Sequence, residues 1–319
     1  MSTSSWACCS EKQQVEDFSG QYRSHEYPYI FCTRMKIGII GPEPMAMTWE
    51  QHLRFITGVH EVVMARDIDL LGDIDACLIL NDASSGEIDA AQLLATLKRG
   101  FHILWVAPLP TEPDEIRRWH EAAEESSVIV MFSMWSHYSP ATQWLFNHIT
   151  PPGKIHIHRE WSGPRHAPDA GTLYRILLEE VSICLEWSRS RLVHFEGDIH
   201  FEIQKSTENP SIQQLHLRFS NGTASSLFLN PYGLENRHSR FLTGSKMAAV
   251  CQVNEHIIKK WMLDGAEQDT PEIMHFDFKE PARHLLSHFI RSVRTGCKPI
   301  FGINELHQLA TIIRLFRER

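Results

Sequence analysis

The chain has 319 residues, of which 43% are hydrophobic and 22% are charged, a composition typical of a soluble globular protein with room for two domains. Its formal net charge of -8 and the lack of any basic run exclude a nucleic-acid partner, because phosphate binding needs clustered Lys and Arg. No apolar stretch approaches the length of a membrane span and no secretory signal is evident, so we expect a cytoplasmic protein without a membrane partner.

Residues 1–34 show neither helical nor strand periodicity and are predicted to be a flexible leader. From Met35 to residue 150, strands alternate with helices, which predicts an α/β domain with a doubly wound parallel sheet of Rossmann-like type. The strands are predicted at 35–40, 60–65, 76–80, 101–106 and 128–132, and the helices at 45–57, 87–99, 113–126 and 140–148.

The second half has a different pattern, and we place a domain boundary at Pro151-Pro152-Gly153. A strand at 154–161 and a helix at 171–188 precede seven short apolar runs between residues 192 and 278. These runs predict an α+β domain, residues 151–319, with an open and mostly antiparallel sheet. Asn221-Gly222 predicts a type I′ hairpin turn, and helices are predicted at 281–295 and 304–319. Because one face of such a sheet remains to be covered, we expect a homodimer through it.

The turn after the first strand carries an altered form of the G-x-G-x-x-G fingerprint of dinucleotide-binding folds. Its three positions hold Gly41, Glu43 and Ala46, so the first glycine is kept, the second is lost and the third is replaced by another small residue. Pro42 and Pro44 have no N–H to offer a phosphate, and Glu43 brings a like charge close to it. The pattern predicts a cofactor-type scaffold with an impaired phosphate site.

The second strand ends where such folds hold the ribose of the cofactor, and Arg66-Asp67 occupies this place. Asp67 suits the ribose hydroxyls of NAD, whereas Arg66 suits the 2′-phosphate of NADP. A solvated strand end without any cofactor contact fits the pattern equally well.

Four stretches, Ile37–Ala46, Phe101–Pro110, Gly171–Trp187 and Arg240–Ala248, follow one another in a characteristic order. Through them the chain resembles the Gfo/Idh/MocA oxidoreductases, the family of glucose-fructose oxidoreductase and inositol dehydrogenase, from about residue 35 onward. The resemblance implies NAD or NADP as the cofactor and a sugar or cyclitol-like small molecule as the ligand.

The family's catalytic positions are implied by the same resemblance, and this sequence departs from them. The family's fourth strand ends in Glu-Lys-Pro, where the lysine sits near the nicotinamide; the matching residues here are Val106, Ala107 and Pro108. The family's second-domain helix carries an aspartate and, four residues later, a histidine that acts as acid or base. Arg175 and Glu179 stand at these two positions.

Arg175 and Glu179 lie one helical turn apart on the same face, which leaves two interpretations. They form an ion pair that fills the catalytic cleft, or Glu179 acts as a general base after burial raises its pKa. His137 follows the fifth strand, at the carboxyl-end crevice where such sheets bind ligands, and is a further candidate for proton transfer.

Two further groups of residues have open roles. His156 and His158 point to one face of a strand, with His166 and Asp169 nearby, but no spacing specifies further ligands and no metal site is predicted. Several aromatic residues near the predicted mouth between the domains either form walls for a sugar ring or fill the core, namely Trp135, Tyr138, Trp144 and Trp161.

Two functions of different classes follow. The first is a catalytically impaired relative of the oxidoreductases that serves as a ligand-binding or scaffolding subunit. The second is a working NAD(P)-dependent dehydrogenase with a rebuilt site, in which Asp67 or Arg66 holds the ribose and Glu179 or His137 transfers a proton. The sequence lacks the family's residues in three separate motifs, namely the phosphate-binding turn, the lysine position and the histidine position. These losses favour the first function.

Overall fold

The computed structural model describes residues 34–80, 90–106, 109, 112–163, 167–198, 212–263, 270–276 and 281–317. The predicted leader lies outside these residues except for Arg34. The part of the chain from Thr33 to Arg319 forms one compact unit.

The N-terminal half forms a parallel sheet of five strands in the described part of the chain, in the order β2-β1-β3-β4-β5. The strands are β1 (Met35–Ile40), β2 (Val59–Ala65), β3 (Ala76–Leu80), β4 (His102–Val106) and β5 (Val130–Phe132). The helices between and after them are α1 (Glu43–Leu53), α2 (Ala90–Lys98), α3 (Pro113–Ser126) and α4 (Pro140–His148). All five residues of β3 are buried, as expected of a central strand covered on both faces. The predicted doubly wound sheet is confirmed.

The second half forms an open sheet of eight described strands in the order β13-β12-β11-β10-β6-β9-β8-β7. The strands are β6 (Lys154–Ser162), β7 (Leu192–Asp198), β8 (Gln213–Phe219), β9 (Ala224–Gly233), β10 (Arg237–Thr243), β11 (Met247–Gln252), β12 (Ile257–Met262) and β13 (Glu272–His275). Every neighbouring pair is antiparallel except β6 with β9. The predicted open, mostly antiparallel sheet is therefore confirmed.

The helix α5 (Ala170–Ser188) packs on the inner face of this sheet. Its buried apolar residues recur at helical spacing, at Leu173, Leu177, Val181 and Cys184. They belong to the same core as the inward residues of β6, β8 and β9. This packing holds the opposite side of α5, which carries Arg175 and Glu179, toward the N-terminal half.

The last two helices, α6 (Pro281–Thr295) and α7 (Ile303–Arg317), return to the N-terminal sheet. Phe289 of α6 shares a core with Ile37 and Ile39 of β1, and the backbone N–H of Phe132 in β5 donates to Phe301 O at 3.2 Å. Two helices from the C-terminal half of the chain therefore pack on the N-terminal sheet, and the domain boundary at Pro151-Pro152-Gly153 stays a prediction.

The hairpin predicted at Asn221-Gly222 joins β8 to β9, but its turn differs from the expected type I′. A type I′ turn needs positive φ at both central residues, whereas here Gly222 has φ +87° and Asn221 does not have positive φ. Gly222 N donates to Phe219 O at 3.0 Å, and Phe219 N donates to Thr223 O at 2.9 Å. The first of these hydrogen bonds closes a turn with Ser220 and Asn221 at its centre, so the left-handed glycine lies one position later in the turn than predicted.

Candidate functional site

The turn from β1 into α1 is built around Gly41. Gly41 has φ +151°, and a Cβ atom added to it would lie 2.6 Å from Leu80 Cβ and 2.8 Å from Leu80 O. A glycine is needed because the end of β3 passes directly beside this backbone. Gly41 therefore keeps the structural role of the first fingerprint position.

The first turn of α1 offers few donors to an anion. Pro42 is the N-cap residue and makes no side-chain cap, and Pro44 is the second helical residue. Neither has a backbone N–H. Glu43 is exposed at the first helical position, where the helix dipole favours its negative charge. Ala46 is buried and donates its N–H to Pro42 O at 2.9 Å, so the third fingerprint position retains its packing role.

The end of β2 presents both predicted ribose contacts on the surface. Arg66 and Asp67 are exposed. Asp67 caps the short 3₁₀ helix Ile68–Leu70, because one of its carboxylate oxygens accepts from Asp69 N at 3.2 Å. Asp67 thus has a local structural role, and a ribose contact by Arg66 or Asp67 stays a prediction.

A cleft of about 380 Å³ lies at the carboxyl ends of β4 and β5 and is closed on one side by α5. Its walls come from α1, the end of β4, the segment after β5 and the first half of α5. The lining residues are Met45, Trp49, Val106, Leu109, Ser133, Met134, Trp135, Thr172, Arg175, Ile176 and Glu179. Val106 therefore lines the cleft, whereas Ala107 and Pro108, at the positions of the family's lysine and proline, lie outside the described residues.

Arg175 and Glu179 both line the cleft, as the helical spacing predicts, but the ion pair considered for them is absent. Arg175 Nη2 donates to Thr172 Oγ1 at 3.0 Å, and Glu179 Oε1 accepts from the backbone N–H of Ser136 at 2.9 Å. Arg175 thus bonds to a residue near the start of its own helix, and Glu179 bonds to the segment that follows β5. Because the two side chains do not pair with each other, they leave the cleft open.

Asp169 sets the position of Arg175. As N-cap of α5, it accepts from Thr172 N at 2.8 Å and from the Thr172 hydroxyl at 2.7 Å. The hydrogen bond from this hydroxyl lowers the pKa of Asp169, burial opposes the effect, and nearby Arg175 adds to the lowering. The Thr172 hydroxyl thus links the carboxylate to the guanidinium.

His137 follows β5 as predicted, but it is not among the residues that line the cleft, and its role in proton transfer stays a prediction. It is 1% exposed, and both ring nitrogens are occupied by side chains of α5. Nε2 lies 2.8 Å from Ser182 Oγ, and Nδ1 contacts Glu186 Oε2. His137 thus joins the 3₁₀ helix Trp135–Tyr138 to α5.

Of the aromatic residues predicted near the mouth, Trp135 lines the cleft and is 39% exposed. Tyr138 is buried. Trp144 stacks on His148 at 4.2 Å between ring centroids, and Trp161 lies beneath Arg159 at 5.0 Å. Trp49 of α1, which the sequence analysis did not single out, faces Trp135 at 5.7 Å and completes the aromatic wall.

A buried charged cluster on the other side of α5 was also missed. Glu180 is fully buried and accepts from Arg240 Nε at 3.1 Å and Nη2 at 2.9 Å. His238 Nε2 lies 3.0 Å from Glu180 Oε1, and Arg240 Nη1 donates to Thr142 Oγ1 at 2.7 Å. Burial would raise the pKa of Glu180, but Arg240 and His238 beside it hold this pKa well below its ordinary value. The cluster fixes α5 on β10.

His156 and His158 lie on the outer face of the second sheet, away from the cleft. His156 Nδ1 is 2.7 Å from Ser226 Oγ, and His158 Nε2 is 3.1 Å from Glu160 Oε1. His166 lies outside the described residues. Among the residues described, no group of three or more His, Cys, Asp or Glu is arranged to hold a metal ion.

Comparison with known proteins gives matches at the level of structure. UDP-N-acetylglucosamine 3-dehydrogenase GnnA from Acidithiobacillus ferrooxidans superposes with a TM-score of 0.74 at 13% identity, over 88% of this chain and 96% of that protein. Levoglucosan dehydrogenase, in complex with NADH and L-sorbose, gives a TM-score of 0.71 at 13% identity, over 89% and 96%. The dehydrogenase MviM from Clostridium difficile gives 0.71 at 12% identity, over 89% and 99%.

This chain has the fold of the Gfo/Idh/MocA dehydrogenases. No protein-family model matches the sequence, and the comparison with curated proteins gives no match. At 12–14% identity the likeness establishes the fold alone, and the chemistry of the cleft has to be argued from its own residues.

Within the Gfo/Idh/MocA fold, the residues that could be predicted to line the cleft are those placed by strand ends and helical spacing, namely Val106, Arg175 and Glu179. The segment after β5, the side of α1 that faces it, Leu109 and two further residues of α5 supply the remainder. No helix in the described part of the chain is long and apolar enough to cross a membrane.

Proposed function

We propose that this protein binds a small molecule in the cleft beside α5 and does not carry out the hydride transfer of the Gfo/Idh/MocA dehydrogenases. The observation that carries the proposal is the start of α1. Two prolines remove donors there, and the exposed carboxylate of Glu43 adds a negative charge at the place where a dinucleotide's pyrophosphate binds in folds of this kind.

The residues of the cleft support the same proposal. Glu179, at the position of the family's acid–base histidine, has one carboxylate oxygen engaged by Ser136 N. Arg175, at the aspartate position, is held by Thr172. The one nearby histidine that sequence analysis selected, His137, has both ring nitrogens bound by α5.

The test is a titration of the purified full-length chain with NAD, NADH, NADP and NADPH, followed by melting temperature and calorimetry. A ligand at one hundred times its Kd stabilises the folded state by about 2.7 kcal/mol, which gives a readily measured shift. We expect no shift with any of the four at millimolar concentration. A shift with one of them, and a matching Kd by calorimetry, would refute the proposal.

The second candidate is a working NAD(P)-dependent dehydrogenase or reductase of a sugar-like molecule, and the location of the cleft favours it. The cleft lies at the carboxyl ends of β4 and β5, where ligands of doubly wound sheets bind. Levoglucosan dehydrogenase, which shares the fold, is known in complex with NADH and L-sorbose. In this candidate Glu179 is the general base, and Asp67 or Arg66 holds the ribose.

A homodimer through the outer face of the second sheet is part of the proposal. Four half-buried apolar side chains of neighbouring strands lie on this face, Phe228, Phe241, Val250 and Trp261. Such a cluster on a sheet face is typical of an interface between identical subunits. Sedimentation equilibrium of the wild type and of Phe241→Lys tests it, and a monomeric wild type at micromolar concentration would contradict it.

A further inference from the structure

We propose that the ligand of the cleft is a small carboxylic acid with an apolar or aromatic body, and that Arg175 receives its carboxylate. The inference rests on the proposed function in one respect only, that the cleft is a small-molecule site. It names the chemical class of the ligand, and this class differs from a sugar.

Arg175 is the group in the cleft with unused binding capacity. A guanidinium has five N–H donors in a planar fork that matches a carboxylate, and one described acceptor, Thr172 Oγ1, takes one of them. Among the residues described, no carboxylate lies within ion-pair distance of Arg175; Asp169 is near but is engaged by Thr172. The Asp169–Thr172 pair therefore orients the guanidinium without consuming its fork.

Glu179 also lines the cleft, but the negative charge of its carboxylate already has favourable partners outside the cleft. Its Oε1 accepts from Ser136 N, and the pKa of Arg159, which burial lowers, is raised in part by Glu180 and Glu179. Glu179 thus faces a donor and a neighbouring cation outside the cleft. Among the described residues that line the cleft, Arg175 is the cation, and no carboxylate pairs with it at ion-pair distance, so its charge and free N–H donors favour an anionic ligand.

The rest of the lining is apolar and aromatic. Trp49 and Trp135 face each other at 5.7 Å with their planes tilted by 36°. Trp135 is 39% exposed, a large open surface for an aromatic side chain. The wall is completed by Met45, Val106, Leu109, Met134 and Ile176. A ring or a branched alkyl group gains free energy by covering this surface.

The same lining disfavours a polyol. Ser133, Thr172, Arg175 and Glu179 are the polar residues that line the cleft in the described part of the chain, and the Thr172 hydroxyl already donates to Asp169 and accepts from Arg175. A sugar hydroxyl that is buried without a hydrogen-bond partner loses its contacts with water and gains none in return, which weakens binding. At about 380 Å³ the cleft is near the lower end of small-molecule pockets, which span about 300–1,000 Å³. One charged end on a compact apolar body fits both the size and the polarity.

The experiment compares three probes of one shape, 3-phenylpropanoate, 3-phenylpropan-1-ol and 3-phenylpropylamine, with D-glucose as a fourth, by calorimetry on the full-length chain. We expect the acid to bind at least tenfold more tightly than the alcohol, and the amine and glucose to bind more weakly than the alcohol. Equal affinity for acid and alcohol, or tighter binding of the amine or of glucose, would overturn the inference.

Variants assign the effect to its residues. Arg175→Gln should remove the preference for the acid over the alcohol, while Arg191→Gln, on an exposed arginine, should leave it unchanged. Trp135→Ala should weaken the binding of the acid and of the alcohol by similar factors, because it removes apolar contact surface but no charge. An acid preference that survives Arg175→Gln contradicts the assignment.

The dinucleotide titration is independent of these probes, so the two proposals fail separately. If a dinucleotide binds and the acid still depends on Arg175, the absence of hydride transfer is refuted and the ligand class stands. If no dinucleotide binds and the acid shows no preference, the ligand class is refuted and the proposed function stands.

Discussion

Glu180 and Arg240, sixty positions apart in sequence, form two hydrogen bonds between α5 and β10 with neither side chain exposed to solvent. Arg240 also bonds Thr142 of α4, so three elements meet at one guanidinium. Because α5 carries Arg175 and Glu179 toward the cleft, this buried pair fixes the helix on which the candidate site depends.

Removing one partner of the pair should destabilise the fold strongly. Glu180→Leu leaves a buried guanidinium without its carboxylate, and Arg240→Met leaves a buried carboxylate. Loss of one member of such a pair costs about 3–5 kcal/mol. Urea unfolding of each variant, followed by circular dichroism, measures the change.

The double variant Glu180→Leu with Arg240→Met is the internal check, since it removes both charges and should recover most of the loss. Arg117→Gln is the matched surface control. Arg117 bonds Glu121 at 3.1 Å on an exposed helix face, and such a pair contributes about 0.3–0.5 kcal/mol. Additive losses in the double variant would show that the two side chains do not act as a pair.

His238 should make the stability of the fold depend on pH. Burial lowers its pKa to about 4, against the partial opposing effect of Glu180. Between about pH 6.5 and 4 the unfolded chain therefore binds a proton at His238 that the folded chain does not. The contribution of His238 to the free energy of unfolding is therefore fully present above pH 6.5 and is lost as the pH falls. The total loss is about 3 kcal/mol, at 1.4 kcal/mol per unit of pKa difference.

Urea unfolding at several pH values from 7 to 4.5, for wild type and His238→Asn, tests this dependence. Two half-buried histidines, His156 and His288, also have pKa values lowered by burial, so the wild type shows the sum of these effects. The prediction concerns the difference in slope between the two proteins. Parallel slopes would contradict it.

Much of the fold could be predicted from sequence because its signals are local. The buried β3, the apolar spacing along α5 and the glycine of the β8–β9 hairpin each follow from a periodicity or a turn residue within a few positions. The same locality explains the error at the hairpin. Asn221-Gly222 indicates a turn, but which residue takes positive φ depends on strand register, which is set across the whole sheet.

Only part of the site could be predicted from sequence, because several of its contacts join residues that lie far apart in the chain. Helical spacing places Arg175 and Glu179 on one face, but the partner that Glu179 finds is the backbone of Ser136, 43 positions away. His137 looked available after β5, yet Ser182 and Glu186 of α5 occupy its ring. Glu180 is adjacent to Glu179, and nothing in the neighbouring sequence indicates that its side chain faces Arg240.

Gly41→Ala should destabilise the turn between β1 and α1. A Cβ atom there would overlap Leu80 Cβ at 2.6 Å and Leu80 O at 2.8 Å, and φ is +151°. Gly100→Ala is the matched control, because its φ of +78° carries a backbone penalty of about 1–2 kcal/mol but no atom lies within 4 Å. We expect the larger loss at Gly41 in thermal unfolding, and equal losses would contradict the packing argument.

Restoring the start of α1 should improve dinucleotide binding if this turn is what opposes it. The double variant Pro42→Ala with Glu43→Gly returns one N–H donor and removes one negative charge from the first turn. Calorimetry with NADH and NADPH should show an affinity gain of at least tenfold over wild type. Glu50→Gln, in the middle of the same helix, controls for a general effect of charge. An unchanged affinity would place the obstacle elsewhere, with the missing lysine position as the next test.

Glu179 allows its structural and chemical roles to be separated by two substitutions. Glu179→Gln keeps a carbonyl oxygen that can accept from Ser136 N, so stability should change by less than about 0.5 kcal/mol. Glu179→Ala removes the acceptor and should cost about 1–2 kcal/mol in urea unfolding. If Glu179 served as a general base, Glu179→Gln would abolish turnover while the fold stayed intact. In a protein that only binds its ligand, Glu179→Gln retains binding of 3-phenylpropanoate, and a loss of binding in this variant would show that the ligand requires the carboxylate charge.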